Sequence, residues 1–130
     1  MEYLIDTDWA IDYLNGVQET VQRVQGLIPA GVGISIISLA EILDGLYGSR
    51  NLDKERQSLD ALLGFLDLVN VNQEICHIFA RERRRLRSMG FLVADFDLLV
   101  GATAIHHNLT LLTNNRRHLE RIQGLSVISP

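Results

Sequence analysis

Asp6, Glu41 and Asp97 are the residues of this chain best placed to do chemistry. Asp6 ends the short apolar run Tyr3-Leu4-Ile5, and Glu41 and Asp97 recur at comparable points of later elements. In a parallel α/β sheet the carboxyl ends of the strands are where ligands are held, because loops and helix N-termini converge there. Carboxylates gathered at that edge repel one another, and a cation relieves the repulsion. Magnesium or manganese suits such a set, since both take oxygen ligands in near-octahedral geometry and keep several waters. A bound ion lowers the pKa of its water from about 15.7 towards neutrality and stabilises charge on a phosphoryl oxygen, as phosphodiester hydrolysis requires. The pattern points to a metal-dependent hydrolase without a side-chain nucleophile.

Simpler roles exist for some of these residues. Asp8, Ser38 and Asp95 each stand where a helix cap is expected, and Ser38-Leu39-Ala40-Glu41 reads as a capping box that would occupy Glu41. Asp6 resists such a reading. A carboxylate directly after a buried strand has to be solvated, paired or bound to metal.

Positioning these acids falls to an alternation of strands and helices. Apolar spacing predicts strands near 3–6, 33–37, 68–71, 110–113 and 126–128. Helices are expected from Thr7 or Asp8 to Gly16, from about Val17 to Gln25, and after Ser38. Another runs from about Leu52 to Leu66, burying Leu52, Leu59, Leu62, Leu63 and Leu66 at helical spacing. A long helix from Gln73 to Met89 stops at Gly90, and a mostly enclosed one follows from Asp95 to about His107. Strand-helix alternation without a hairpin signal predicts an α/β fold over residues 1–130. Its central parallel sheet would have four to five strands, flanked by helices on both faces.

Composition agrees with one ordinary domain: 130 residues, 47% hydrophobic and 22% charged. Apolar stretches are broken well before the roughly 20 residues that span a bilayer, and no basic-then-apolar leader precedes the first strand. A soluble cytoplasmic protein is expected. The one cysteine, Cys76, excludes an internal disulfide and a cysteine-rich zinc site, and is expected to be buried. The net charge of -4 argues against indiscriminate nucleic-acid binding, but it divides into -6 over residues 1–65 and +2 over residues 66–130. Arginine supplies 11 of the 12 cations, favouring planar contacts with phosphate or carboxylate.

Four stretches in order resemble a known family along nearly the whole chain. They are Leu4-Ile5-Asp6-Thr7; Ile36-Ile37-Ser38-Leu39-Ala40-Glu41-Ile42 with Gly45; Asp97-Leu98-Leu99-Val100-Gly101-Ala102-Thr103-Ala104; and Leu111-Leu112-Thr113-Asn114-Asn115-Arg116-Arg117-His118-Leu119 with Ile122 and Gly124-Leu125. Together they resemble the PIN-domain ribonucleases of the VapC toxin type. The resemblance implies a magnesium-dependent endoribonuclease, with manganese as a substitute, whose metal-binding carboxylates are Asp6, Asp97 and Glu41. Thr7, Ser38 and Thr113 match positions that orient ligands or water. Asn115 stands where many PIN domains carry a fourth acid; its amide can orient a water or weakly coordinate, which leaves a second ion less securely held. The same resemblance implies a type II toxin-antitoxin pair, a cognate antitoxin covering the acidic groove, and a homodimer. Leu43, Leu46 and Tyr47 are weighed between such a contact and plain core packing.

The arginines are partitioned by position. Arg116 and Arg117 follow the loop that carries Asn115, where their guanidinium groups can meet backbone phosphates, whereas Arg81, Arg83, Arg84, Arg85 and Arg87 read first as a solvated helix face. Glu82 departs from the family, falling among Ile75, Ile78, Phe79 and Leu86 where an apolar residue is usual; it is expected to pair with an arginine. A haloacid-dehalogenase-type phosphatase shares Asp-x-Asp after the first strand, with Asp6 as nucleophile. It also needs a lysine that Lys54, on an expected surface helix, does not supply. A receiver-type signalling domain lacks its phosphoacceptor here. A non-catalytic PIN scaffold that binds proteins would have no use for the retained acids.

Overall fold

A computed structural model describes residues 1–130. The elements in chain order are β1 (Tyr3–Ile5), α1 (Thr7–Leu14), α2 (Gln18–Leu27), β2 (Val32–Ser35), α3 (Ile36–Tyr47), α4 (Leu52–Leu63), β3 (Asp67–Val69), α5 (Gln73–Ser88), α6 (Asp95–His106), β4 (Thr110–Leu112), α7 (Arg116–Leu119) and β5 (Ser126–Ile128). The five strands form one parallel sheet in the order β3-β2-β1-β4-β5. β1 thus lies at the centre, and the strand order reverses on either side of it. That reversal makes the carboxyl end of β1 the switch point, where the flanking connections diverge and leave a crevice.

Helices cover both faces. Along β1 the side chains alternate: Leu4 joins Leu86, Leu98, Leu111 and Leu119 on one face, while Ile5 joins Trp9, Ile34, Ile42 and Leu62 on the other. Both Leu4 and Ile5 are fully buried, as a central parallel strand requires. α6 is enclosed as its composition predicts, with Leu98, Val100, Gly101, Ala102, Thr103 and Ala104 all buried. Gly101 has a specific reason. A Cβ there would stand 2.8 Å from Ile122 Cδ1, so glycine lets α6 close on the segment that follows α7.

Several local expectations are corrected. β2 ends at Ser35, and Ser35 rather than Ser38 caps α3, its hydroxyl accepting from Ile37 N at 3.1 Å. Ser38 lies inside the helix, fully buried and with its hydroxyl unpartnered, so no capping box occupies Glu41. Asp95 is the first residue of α6 rather than its cap, and bonds Arg83 Nε at 2.8 Å instead. Asp8 does not cap α1 either; Asp6 does, accepting from Thr7 N. Cys76 is exposed, because the apolar stripe of α5 runs through Ile75, Phe79 and Leu86 and leaves it to one side. Leu59, Leu62 and Leu66 are buried as expected, but Leu52 and Leu63 only half-buried.

Candidate active site

β1 and β4 are adjacent, with Ile5 opposite Leu112, so the residues that follow them meet. Asp6 N donates to Leu112 O at 2.8 Å, and the Thr113 hydroxyl donates to Asp6 Oδ2 at 2.6 Å. Asp6 Oδ1 accepts from Thr7 N at 2.8 Å. Even so, the residue is only 3% exposed. Burial foremost, then the neighbouring Asp8 charge, push its pKa up to about 7; Thr113 and Thr7 pull against the shift and Asp97 adds to it. At neutral pH this group is poised between an acid that lacks a counterion and one that has found it.

From Asp6 a continuous chain of polar contacts runs in two directions. Towards α3, the Thr7 hydroxyl donates to Glu41 Oε1 at 2.8 Å. Towards α6, Thr113 Oγ1 accepts from Asn115 N at 3.0 Å, and Asn115 Nδ2 donates to Asp97 Oδ2 at 3.3 Å. Burial raises the Asp97 pKa, opposed by the Asn115 bond and the His118 charge. The structure therefore links Glu41, Asp6, Asn115 and Asp97, residues spread over more than a hundred positions of sequence, through Thr7 and Thr113. Ser38 is adjacent in sequence to this region but makes no hydrogen bond to it.

Asp8 belongs to the site although sequence reasoning passes over it, because its place at the start of a helix invites a capping role. Its Oδ2 accepts from Asn114 N at 3.0 Å, its Oδ1 is buried without a partner, and burial raises its pKa. Asn114 Nδ2 in turn donates to Asp12 at 3.0 Å. The available signal is the placement of Asp8 and Asp12 four apart, on one side of α1.

No arginine or lysine neutralises this acidity: the three ion pairs of the protein are Arg83–Asp95, Arg85–Glu82 and Arg116–Glu120. Nor do three acids converge on one point as a finished ligand shell. A magnesium-type ion commonly takes one or two carboxylates and completes its shell with water. The donor set fits that habit, being all hard oxygen with an orphaned buried carboxylate oxygen at Asp8 and a disfavoured ionisation at Asp6. Glu41 also lines a groove of about 380 Å³ between α1, α3 and α4, together with Ile11, Leu14, Leu46 and Lys54. Leu46, which lines that groove, is buried, whereas Tyr47 is 65% exposed.

Arg116 and Arg117 are exposed on α7 immediately after Asn115, Arg116 held only loosely at 3.5 Å from Glu120. Arg121 is otherwise engaged, its guanidinium 4.2 Å from the centre of the Phe91 ring. Glu82 pairs with an arginine as expected, the partner being Arg85 of its own helix.

The class defined by these features is a small parallel α/β domain with an acidic centre at its switch point. The PIN domain family matches residues 3–125. Ribonuclease VapC1 of Methanocaldococcus jannaschii is 32% identical over 95% of this chain and 85% of its own length. Ribonuclease VapC19 of Mycobacterium tuberculosis is 35% identical over 94% of this chain and 95% of its own. Among solved structures, VapBC2 from Rickettsia felis bound to a promoter DNA fragment contains a chain that superposes with a TM-score of 0.94, at 26% identity, covering 100% of this chain and 99% of that one. The chain belongs to the PIN-domain family, in its VapC-type branch. No helix is long and apolar enough to cross a membrane.

Proposed function

We propose that this protein is a divalent-metal-dependent endoribonuclease acting as the toxin of a toxin-antitoxin pair, with residues 1–130 working as one PIN domain. One observation carries the reading: unpaired carboxylates at the switch point, joined by hydrogen bonds through Thr7, Thr113 and Asn115, in a chain aligned with ribonucleases over nearly its full length.

Asp6 and Asp97 would hold a magnesium ion, with manganese as a substitute, and Glu41 would complete or orient its shell. When bound, the ion supplies Lewis acidity that activates water and stabilises charge on the phosphoryl oxygens. The protein's own groups do the rest. Thr113 fixes one oxygen of Asp6 and Thr7 N the other, so the carboxylate faces the crevice in one orientation. Thr7 engages a single oxygen of Glu41, leaving the second open to a hydrogen bond from water. Asn115 orients Asp97 without adding charge. Arg116 and Arg117 grip the phosphates that flank the scissile bond.

The VapBC2 complex of the Rickettsia felis relative supports a cognate antitoxin for this chain, and the groove beside Glu41 offers it a place next to the acids. The protein acts in the cytoplasm as a homodimer. Purified protein is expected to cut RNA in magnesium and to stop in EDTA, and Asp6→Ala and Asp97→Ala proteins are expected to be inactive at matched metal concentration. Variants that cut as fast as the parent would overturn the assignment.

A further inference from the structure

Outside the acidic centre, the most connected charges lie on α5, where Glu82 and Arg85 face the chain leaving α7. Arg85 Nε and Nη2 donate to the two Glu82 oxygens at 3.0 and 2.8 Å, a two-point planar pair. The pair reaches beyond its own helix. Arg85 Nη2 also donates to the Arg121 carbonyl at 2.8 Å, and Glu82 Oε2 accepts from Gln123 N at 3.0 Å. The Glu82 side chain is only 13% exposed.

The gripped segment is one that cannot hold itself. α7 has four residues, and a single helical turn has too few hydrogen bonds to offset the cost of ordering it. Buried Leu119 and Ile122 anchor its apolar side. At its entrance Asn115 is tied to Thr113 and Asp97. At its exit the hydrogen bonds to the body of the protein are those that Arg85 donates to the Arg121 carbonyl and Glu82 accepts from Gln123 N. Arg116 and Arg117 lie between the two attachments. A surface ion pair three residues apart is worth little by itself, but hydrogen bonds from charged groups to backbone are stronger and directional. Arg81, Arg84 and Arg87 on the same helix are exposed and make none.

The geometry points to Glu82 and Arg85 as positioning residues for RNA cleavage: by clasping the exit of α7 they keep the Asn115 amide on Asp97 and present Arg116 and Arg117 to the substrate backbone. This rests on the ribonuclease reading above. Opening the clasp lets α7 shift, which lowers kcat through Asn115 and weakens RNA binding through the arginines. The protein need not unfold for either effect to appear.

The test compares Glu82→Leu, the reversed pair Glu82→Arg with Arg85→Glu, and Arg84→Gln, with Asp6→Asn as the reference for the reading itself. Reversal restores an ion pair but sets a guanidinium against Gln123 N and a carboxylate against the Arg121 carbonyl, so neither backbone hydrogen bond can form. For each protein one measures kcat and KM on RNA, affinity for total tRNA in EDTA, the side-chain amide resonance of Asn115, and the urea midpoint. Glu82→Leu and the reversed pair are expected to move the Asn115 resonance and lower kcat about 10-fold or more, with weaker tRNA binding, while Arg84→Gln matches the parent. If the reversed pair recovers parental kcat and an unmoved Asn115 resonance, the residues serve stability alone and the inference is overturned. An unchanged kcat and resonance in Glu82→Leu, which removes both acceptor oxygens, would overturn it too, even if the reversed pair fails to fold. Should Asp6→Asn still cleave, the ribonuclease reading fails instead.

Discussion

Thr113 and Asp6, 107 positions apart, share a 2.6 Å hydrogen bond across the ends of two neighbouring parallel strands. The threonine hydroxyl donates to Asp6 while accepting from Asn115 N, so a single buried oxygen couples the central carboxylate to the loop that reaches Asp97. Thr113→Val preserves shape and removes these hydrogen bonds together with the longer one to Asp8 Oδ2 at 3.4 Å. Leaving buried partners unsatisfied costs about 1–3 kcal/mol, and the missing donor drives the Asp6 pKa further upward. Urea unfolding at pH 7 and titration with magnesium are expected to register lower stability and weaker ion binding. A variant as stable as the parent would mean that water replaces the hydroxyl.

The ionisation of Asp6 sets a pH dependence whose sign is fixed. Its folded pKa, about 7, lies above the ordinary 3.8, so the folded protein holds this proton more tightly than the unfolded chain. The associated stability is complete below about pH 4 and is lost as pH rises through 7, by up to about 4 kcal/mol at 1.36 kcal/mol per unit. The difference in unfolding free energy between parent and Asp6→Asn, followed from pH 4.5 to 8 without metal, is expected to move against the parent. Saturating magnesium removes that slope. Parallel curves in EDTA would show that the carboxyl is solvated.

Arg116 and Arg117 are exposed and lightly held, which leaves them available to phosphate. Replacing both by glutamate weakens RNA binding and flattens its salt dependence, by about 0.7 in logarithmic slope for each phosphate no longer neutralised. Fluorescence anisotropy with labelled RNA in EDTA across a salt series gives the slope directly. An unaltered slope would remove both residues from the interface.

Asn115→Asp introduces a carboxylate 3.3 Å from the Asp97 oxygen that the amide now satisfies. Two like charges at that distance repel, so the metal-free variant is expected to be less stable than the parent, by about 1 kcal/mol. The same repulsion favours a cation, and calorimetric titration should show tighter manganese binding. Weaker binding would mean that Asn115 serves geometry alone.

The sheet is legible in the sequence because each strand holds a short apolar run that a polar residue closes, and the position of Asp6 after Tyr3-Leu4-Ile5 carries that signal without help. Glu41 and Asp97 are legible mainly through the motifs around them, since an acid near an expected helix start has ordinary uses; Asp97 does lie in the first turn of α6, whereas Glu41 is the sixth residue of α3. The caps mislead where two candidates lie close together: Ser35 and Ser38 both follow apolar residues, and only the point at which β2 stops pairing decides between them. Asp8 is hidden for a related reason, as nothing local reveals that Asn114, just past the end of β4, will bond to it. Glu82 is conspicuous as a charge on an apolar stripe. Its bond from Gln123 N, and that from Arg85 to the Arg121 carbonyl, are products of tertiary packing that no spacing encodes.

Because β5 pairs with β4 and Thr113 N donates to Ile128 O, the hydroxyl that steadies Asp6 depends on residues made late in synthesis. A nascent chain on the ribosome that has progressed only through α6 already contains Asp6, Glu41 and Asp97 but neither Thr113 nor Asn115. In such a chain Asp6 has no Thr113 hydroxyl to accept from and Asp97 no Asn115 amide, so the network that joins the acids closes only once the strand carrying Ile128 has docked.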